Sequence, residues 1–293
     1  MLERMTSPAN TPLKPRHIGR FVLAFLVIVA IWMLVEPQTL WVVRNTVTSP
    51  QVPAAFDGTR IVFLADVHAG HLVSSAHVNR ILDAALALKP DIIVLGGDYV
   101  EDRREGAEIF YPAASRLTAP LGVYAVLGNH DAFGYGTQTA IEGLAADKIK
   151  LLDNTSTVIA RNGSTITLSG IEDWGTGHAN VASAAAGVSP QQFAVLVSHN
   201  PDALAEQLPA SSGVYDLALA GHLHGGQVTL FGLWAPLIPS EFGNRYRTGW
   251  HDIAGTPTLV TNGTGVAWMP PRFFAPPQVH LITLRHADAA SVR

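Results

Sequence analysis

The period of the hydrophobic pattern changes along the chain, and the changes mark its elements. Residues 21–35 (FVLAFLVIVAIWMLV) form an uncharged run with no polar face. Apolarity on every side suits a helix surrounded by lipid better than one on the surface of a soluble domain. Ile18 and Gly19 extend the run to spanning length if Arg20 reaches back to the headgroups, and Glu36-Pro37 ends it. Residues 47–56, punctuated by Pro50 and Pro53, read as an extended linker. From Arg60 onward a short apolar run, a polar cluster and an amphipathic stretch recur in turn. Ile61-Val62-Phe63-Leu64 leads to Asp66 and His68. Val78, Ile81, Leu82, Ala85 and Leu88 then recur at helical spacing, with Pro90 beyond the end. Residues 92–95 lead to Gly96-Gly97-Asp98, a helical stretch covers about 105–117, and residues 123–127 lead to Gly128-Asn129-His130-Asp131. This alternation predicts an α/β fold with parallel strands and helices on the faces, and such sheets place ligands at the carboxyl ends of their strands.

The second half is richer in strands, predicted at 165–169, 193–197, 217–220, 258–261 and 279–284. Two of them run directly into polar clusters, Ser198-His199-Asn200-Pro201 and Gly221-His222-Leu223-His224. The expected organisation is a disordered tail over 1–17, a transmembrane signal-anchor over 18–36, a linker or first strand over 37–58 and one domain over 59–293.

Composition narrows the chemistry. Among 293 residues, 48% are hydrophobic and 14% charged, which is enough for a sizeable core. The formal net charge of -4 gives no reason to expect nucleic acid, which calls for a basic face. There are no cysteines, so disulfides and thiolate metal sites are excluded, and His, Asp, Glu and Asn remain as possible ligands. Lys14, Arg16 and Arg20 precede the apolar run and only Arg44 follows it closely. The positive-inside bias then keeps the N-terminus in the cytoplasm and puts the rest on the outer side of the cell membrane, as a single-pass protein. A cleaved signal peptide is the competing reading, but a small-x-small cleavage site is missing, since Ile28 stands two positions before Ala30.

Singly, each polar cluster has an ordinary explanation: a turn histidine, or an aspartate capping a helix. Five strand ends carrying Asp66, His68, Asp98, Asn129, His130, His199, His222 and His224 are a different matter, because strand carboxyl ends converge in space. Imidazole and carboxylate suit Mn, Fe, Zn or Co. One ion needs only three or four of these groups, so the surplus points to two divalent ions with a carboxylate between them. Two such ions outweigh two aspartates, and a net positive site suits a phosphate anion.

The ordered set Asp66-x-His68, Gly97-Asp98, Gly128 to Asp131, His199 and His222-x-His224 resembles the calcineurin-like metallophosphoesterase superfamily. Gly225-Gly226-Gln227 and Arg272 resemble its membrane-associated bacterial branch typified by YkuE and YaeI. The resemblance implies a four-layer αββα sandwich of two mixed sheets flanked by helices. It implies Asp66, His68 and His224 on one metal, Asn129, His199 and His222 on a second, and Asp98 bridging, with Mn2+, Zn2+ or Fe2+ as the ions. His130 would face the phosphoryl group, and Asp131 would orient its ring, or cap a helix, or both. Hydrolysis would proceed by attack of a metal-bridging hydroxide.

Other positions have looser readings. Arg245, Arg247 and Arg272 have surface or structural salt bridges as their default reading, with pairing to phosphate as the sharper one. Asp173, with His178, lies in a Gly-rich loop that can touch substrate, and His71 and Tyr99 border the ligand clusters. Trp268 to Pro271 and Phe273-Phe274 are either packing or a lipid-facing entrance. The expected substrate is a phosphoester of the cell envelope or a phospholipid. The pyrophosphate of a UDP-diacylglucosamine is the alternative, and the predicted topology counts against it. A catalytically silent scaffold is a further alternative, against which the complete ligand set stands.

Overall fold

The computed structural model describes residues 15–101, 104–134 and 136–287. The tail expected to be disordered lies outside them, except that its last residues open the first helix, α1 (Pro15–Val35). A 20-residue segment of this region, Gly19–Gln38, is long and apolar enough to cross a membrane, and almost none of it is buried.

After α1 come β1 (Trp41–Ser49), β2 (Arg60–Leu64), α2 (Ser75–Ala87), β3 (Ile92–Leu95), α3 (Arg104–Ala114) and β4 (Val123–Ala125). Ser74 caps α2 by accepting the His77 N–H. The predicted strand at 123–127 is shorter than expected, because the chain bends into the site after Ala125. Next are α4 (Thr137–Ala146), β5 (Lys150–Leu151), β6 (Thr155–Arg161), β7 (Ser164–Gly170), α5 (Val181–Ala185), β8 (Ala194–Ser198), α6 (Pro201–Gln207) and β9 (Leu217–Ala220). The chain closes with β10 (Gly249–Ile253), β11 (Thr256–Val260) and β12 (Gln278–His286).

Two mixed six-stranded sheets result, ordered β1-β12-β2-β3-β4-β5 and β10-β11-β9-β8-β7-β6. Strand alternation divides the core into layers. Ile61, Phe63, Ile92 and Val94 point inward and meet Leu168, Val195, Val197, Leu217 and Leu219 between the sheets. Val62, Leu64, Ile93 and Leu95 point the other way, into Val78, Ile81, Leu82 and Phe110 of α2 and α3. Leu196, Ala218 and Ala220 pack outward against Val181 and Leu204. Burial on both faces explains why these strands read as unbroken apolar runs rather than alternating ones.

Within the stretch expected as a linker or first strand, residues 41–49 form β1, paired in parallel with β12. Trp41 is level with Gln278 in that pair, and His280 is level with Phe63 of the antiparallel neighbour β2. The start of β1, just beyond α1, therefore stands at the end of the sheet where β2, β3 and β4 terminate.

Candidate metal centre

The loops that leave these strand ends are unusual in their backbone. Asp66, His68, Asp98, His222 and His224 all have left-handed φ, between 49 and 69°. Asp tolerates this conformation because its short side chain can bond locally, but each such residue still costs roughly 1–3 kcal/mol. The rigid strands on either side hold the loops in place, and the turns bring the side chains to one point. Gly128 is required for close approach: a Cβ there would collide with the Asp98 carboxylate. A Cβ on Gly97 would lie 2.7 Å from His199 Nδ1.

Three overlapping groups of candidate ligands form, one of them His68, Asp98 and His130. Ligand atoms of Asp66, His68 and His224 lie within 4.8 Å of one another, as do those of Asp98, His199 and His222. Asp98 joins the groups, with its Oδ2 3.1 Å from His199 Nε2 and 3.6 Å from His68 Nε2. Asn129 and His130 line one cavity together with His68, Asp98, His222 and His224. The ring of His130 stands edge-on to that of His68, with centroids 4.7 Å apart.

The arrangement fits cations. Asp66 Oδ2 and Asn129 Oδ1 are buried without a hydrogen-bond partner, although buried polar atoms are normally satisfied. His68 Nε2 and His224 Nε2 face each other at 2.9 Å, and His199 Nε2 faces His222 Nδ1 at 3.2 Å. His199 Nδ1 donates to the Gly96 carbonyl, which turns its Nε2 toward the site. His68 Nδ1 bonds Glu101 Oε2 at 2.6 Å, which likewise turns Nε2 inward. Burial and His199 push His222 down to about 3, while burial and His68 push His224 well below the usual imidazole range. Both rings are therefore uncharged near neutral pH. Burial raises Asp66 to about 6. Burial opposes charge on Asp98 as well, but His199 and His68 hold its carboxyl well below the usual range.

Asp131 acts on the backbone. Its carboxylate accepts the N–H groups of Asp98 (2.7 Å), Tyr99 (3.0 Å) and Gly128 (3.0 Å), clamping the loops after β3 and β4 together. Burial, and then Asp98, raise its pKa to about 7. The His130 N–H in turn donates to Asp98 Oδ1. Asp131 thereby holds the turn that carries Asn129 and His130.

The arginines considered for phosphate make structural contacts. Arg272 is completely buried, and its guanidinium donates to the carbonyls of His224, Asn262, Gly265 and Ala275 and to His224 Nδ1. It braces the His224 loop from behind. Arg247 bonds the carbonyls of Gly225 and Gly232, and Arg245 lies over the Tyr246 ring. Asp173 is buried and caps a turn through the Gly175 N–H, outside the cavity lining. Tyr99 is buried and bonds the Val126 carbonyl. Glu101 is the residue that sequence reasoning missed. Its only signal was a carboxylate three residues beyond Asp98.

The family model for calcineurin-like phosphoesterases matches residues 59–226. The chain is similar to an uncharacterized metallophosphoesterase, YkuE, of Bacillus subtilis, at 29% identity over 86% of this chain and 88% of that protein. It is similar to the phosphodiesterase YaeI of Escherichia coli at 31% identity, covering 70% of this chain and 75% of the other. A transmembrane protein with a metallophosphoesterase domain from Danio rerio matches at 28% identity over 91% of this chain, which spans 63% of that longer protein.

Proposed function

Because the chain belongs to the calcineurin-like phosphoesterase family and is thereby a phosphoric ester hydrolase, we propose that it is a membrane-anchored, two-metal enzyme acting on a phosphoester of the cell envelope or a phospholipid. The observation that carries this reading is the overlap of the ligand groups, with Asp98 between His68 and His199 beside one cavity. Asp66, His68 and His224 would hold one divalent ion, and His199, His222 and the Asn129 carbonyl oxygen the other, with Asp98 shared. When bound, such ions supply Lewis acidity toward phosphoryl oxygens and activate water at neutral pH.

The protein's own groups do the rest. Glu101 and the Gly96 carbonyl hold the His68 and His199 rings in one tautomer. Asp131 fixes the turn that carries Asn129 and His130. His130, half-buried at the cavity wall, offers an N–H to the phosphoryl oxygens or a proton to the departing oxygen. Asp98 takes the His130 backbone N–H on Oδ1 and keeps Oδ2 for the centre.

In this reading α1 anchors the domain, and Lys14, Arg16 and Arg20 ahead of its apolar run favour a catalytic part outside the cytoplasm. A reporter fused after Arg293 tests that orientation, since a cytoplasmic signal contradicts it. The full chain in detergent should hydrolyse an aryl phosphate ester, lose the activity to a chelator and recover it with Mn2+. Turnover indifferent to chelation overturns the metal reading.

A further inference from the structure

An apolar collar surrounds the mouth of the cavity, and it is fastened to the end of α1. Residues 228–239 contain no charged side chain, and residues 266–277 contain only Arg272, which is buried. The two segments pair: Val228 bridges Phe273, and the Thr229 N–H donates to the Phe273 carbonyl at 3.0 Å. Together they expose Phe231 (62%), Leu233 (82%), Trp234, Leu237 (70%), Trp268 and Phe274. Leu237 and Trp268 also line the cavity beside His68, His130 and His222. Contiguous exposed apolar surface of this kind marks an interaction site.

The position of the collar identifies what covers it. The Arg272 N–H donates to the Met33 carbonyl in the last turn of α1. Glu36, just past α1, is buried and accepts the N–H groups of Phe274 and Ala275, together with Trp32 Nε1–H. The collar is thus bonded to the point where the apolar helix ends. Strand register agrees, since β1 begins at the same end of the sheet where β2 delivers Asp66. Trp32, Trp41, Trp234 and Trp268 are all well exposed around this end. Tryptophan favours the boundary between headgroups and acyl chains.

Resting on the phosphoesterase reading for its chemistry, we propose that the collar seats in the outer boundary of the bilayer that α1 crosses. The metal-bearing end of the sandwich then faces the membrane surface. The cavity receives the phosphoester headgroup of an amphiphile whose acyl chains stay in the bilayer. A soluble nucleotide or a wall polymer gains nothing from such a collar.

The absence of native cysteine makes single-site labelling of the full chain direct. Spin labels are placed through Phe231→Cys, Leu233→Cys and, as an exposed control on β6, Val158→Cys, in vesicles of phosphatidylethanolamine and phosphatidylglycerol. The expected result is collision with oxygen at the two collar sites and with a water-soluble nickel chelate at Val158. Collar labels as open to nickel as the control, or closed to both reagents because protein covers them, overturn the proposal. A second assay offers one aryl phosphodiester in two forms, with an acyl chain that holds it in the vesicle and without. Phe231→Glu/Leu233→Glu should lower turnover of the anchored form by about tenfold or more and spare the soluble form. An equal fall in both overturns the proposal. If the wild type turns over neither form, the phosphoesterase reading fails, while the label depths still decide the membrane face.

Discussion

Arg272 shows how far a residue's type can mislead about its role. An arginine near a phosphate site reads as an anion partner, yet this one is buried and donates to four backbone carbonyls around His224. Burial pushes its pKa down to about 10, still well above neutrality, so it stays charged. Arg272→Met should destabilise the protein by about 3 kcal/mol or more, because several buried acceptors lose their donors. Arg272→Lys should not rescue it, since an ammonium cannot reproduce the planar fork. Both follow from thermal unfolding, and a wild-type melting temperature in Arg272→Met contradicts the bracing role. Glu101 makes the opposite case. It was invisible as a functional residue but bonds a candidate ligand directly. Glu101→Gln should weaken metal affinity about 10–100-fold, read by metal titration, while leaving the fold intact. The candidate ligands could be picked out because their types and their places at strand ends both mattered. Burial and bonding partners were not legible, because no local pattern encodes them.

At the scale of elements, the strands of the core were plain from their apolar runs, and the edges of the sheets were not. β1 was left between a linker and a first strand because its partner is β12, at the far end of the chain, and one of its faces is open. β6 and β10 are also edge strands with partly exposed faces, and they were missed. The junction of α1 with the collar was likewise out of reach, since Glu36 finds its partners at Phe274 and Ala275. That junction makes α1 more than a tether. Glu36→Ala should leave the buried Ala275 N–H without its partner and raise amide exchange across 268–276 by about tenfold or more. Unchanged exchange in the full chain would show that α1 and the loop move independently.

For the molecule as a whole, acid should be destabilising, and part of the cause lies away from the metal centre. His280 is buried between β1 and β2, bonded to Asn45 and Thr261, and burial lowers it from 6.5 to about 4. Burial also lowers His77 to about 4. A group depressed in this way is neutral when folded and takes up a proton on unfolding. Its contribution is complete above about pH 6.5 and is lost as pH falls toward 4, by at most about 3 kcal/mol for His280. The unfolding free energy of His280→Gln should therefore fall less steeply over that window than that of the wild type. Equal slopes would remove His280 as a cause.

The central claim is a pair of ions sharing Asp98, and metal content measured alongside turnover tests it most directly. The full chain and Asp98→Asn are stripped with chelator, reloaded with Mn2+, freed of unbound metal and assayed for metal per chain and for aryl phosphodiester hydrolysis. The account predicts two ions per wild-type chain, with rate rising as the second is filled, and in Asp98→Asn a loss of bound metal together with a rate fall of at least about a hundredfold. A wild type that reaches its maximal rate with one ion or none, or an Asp98→Asn variant that keeps both ions and its rate, contradicts it.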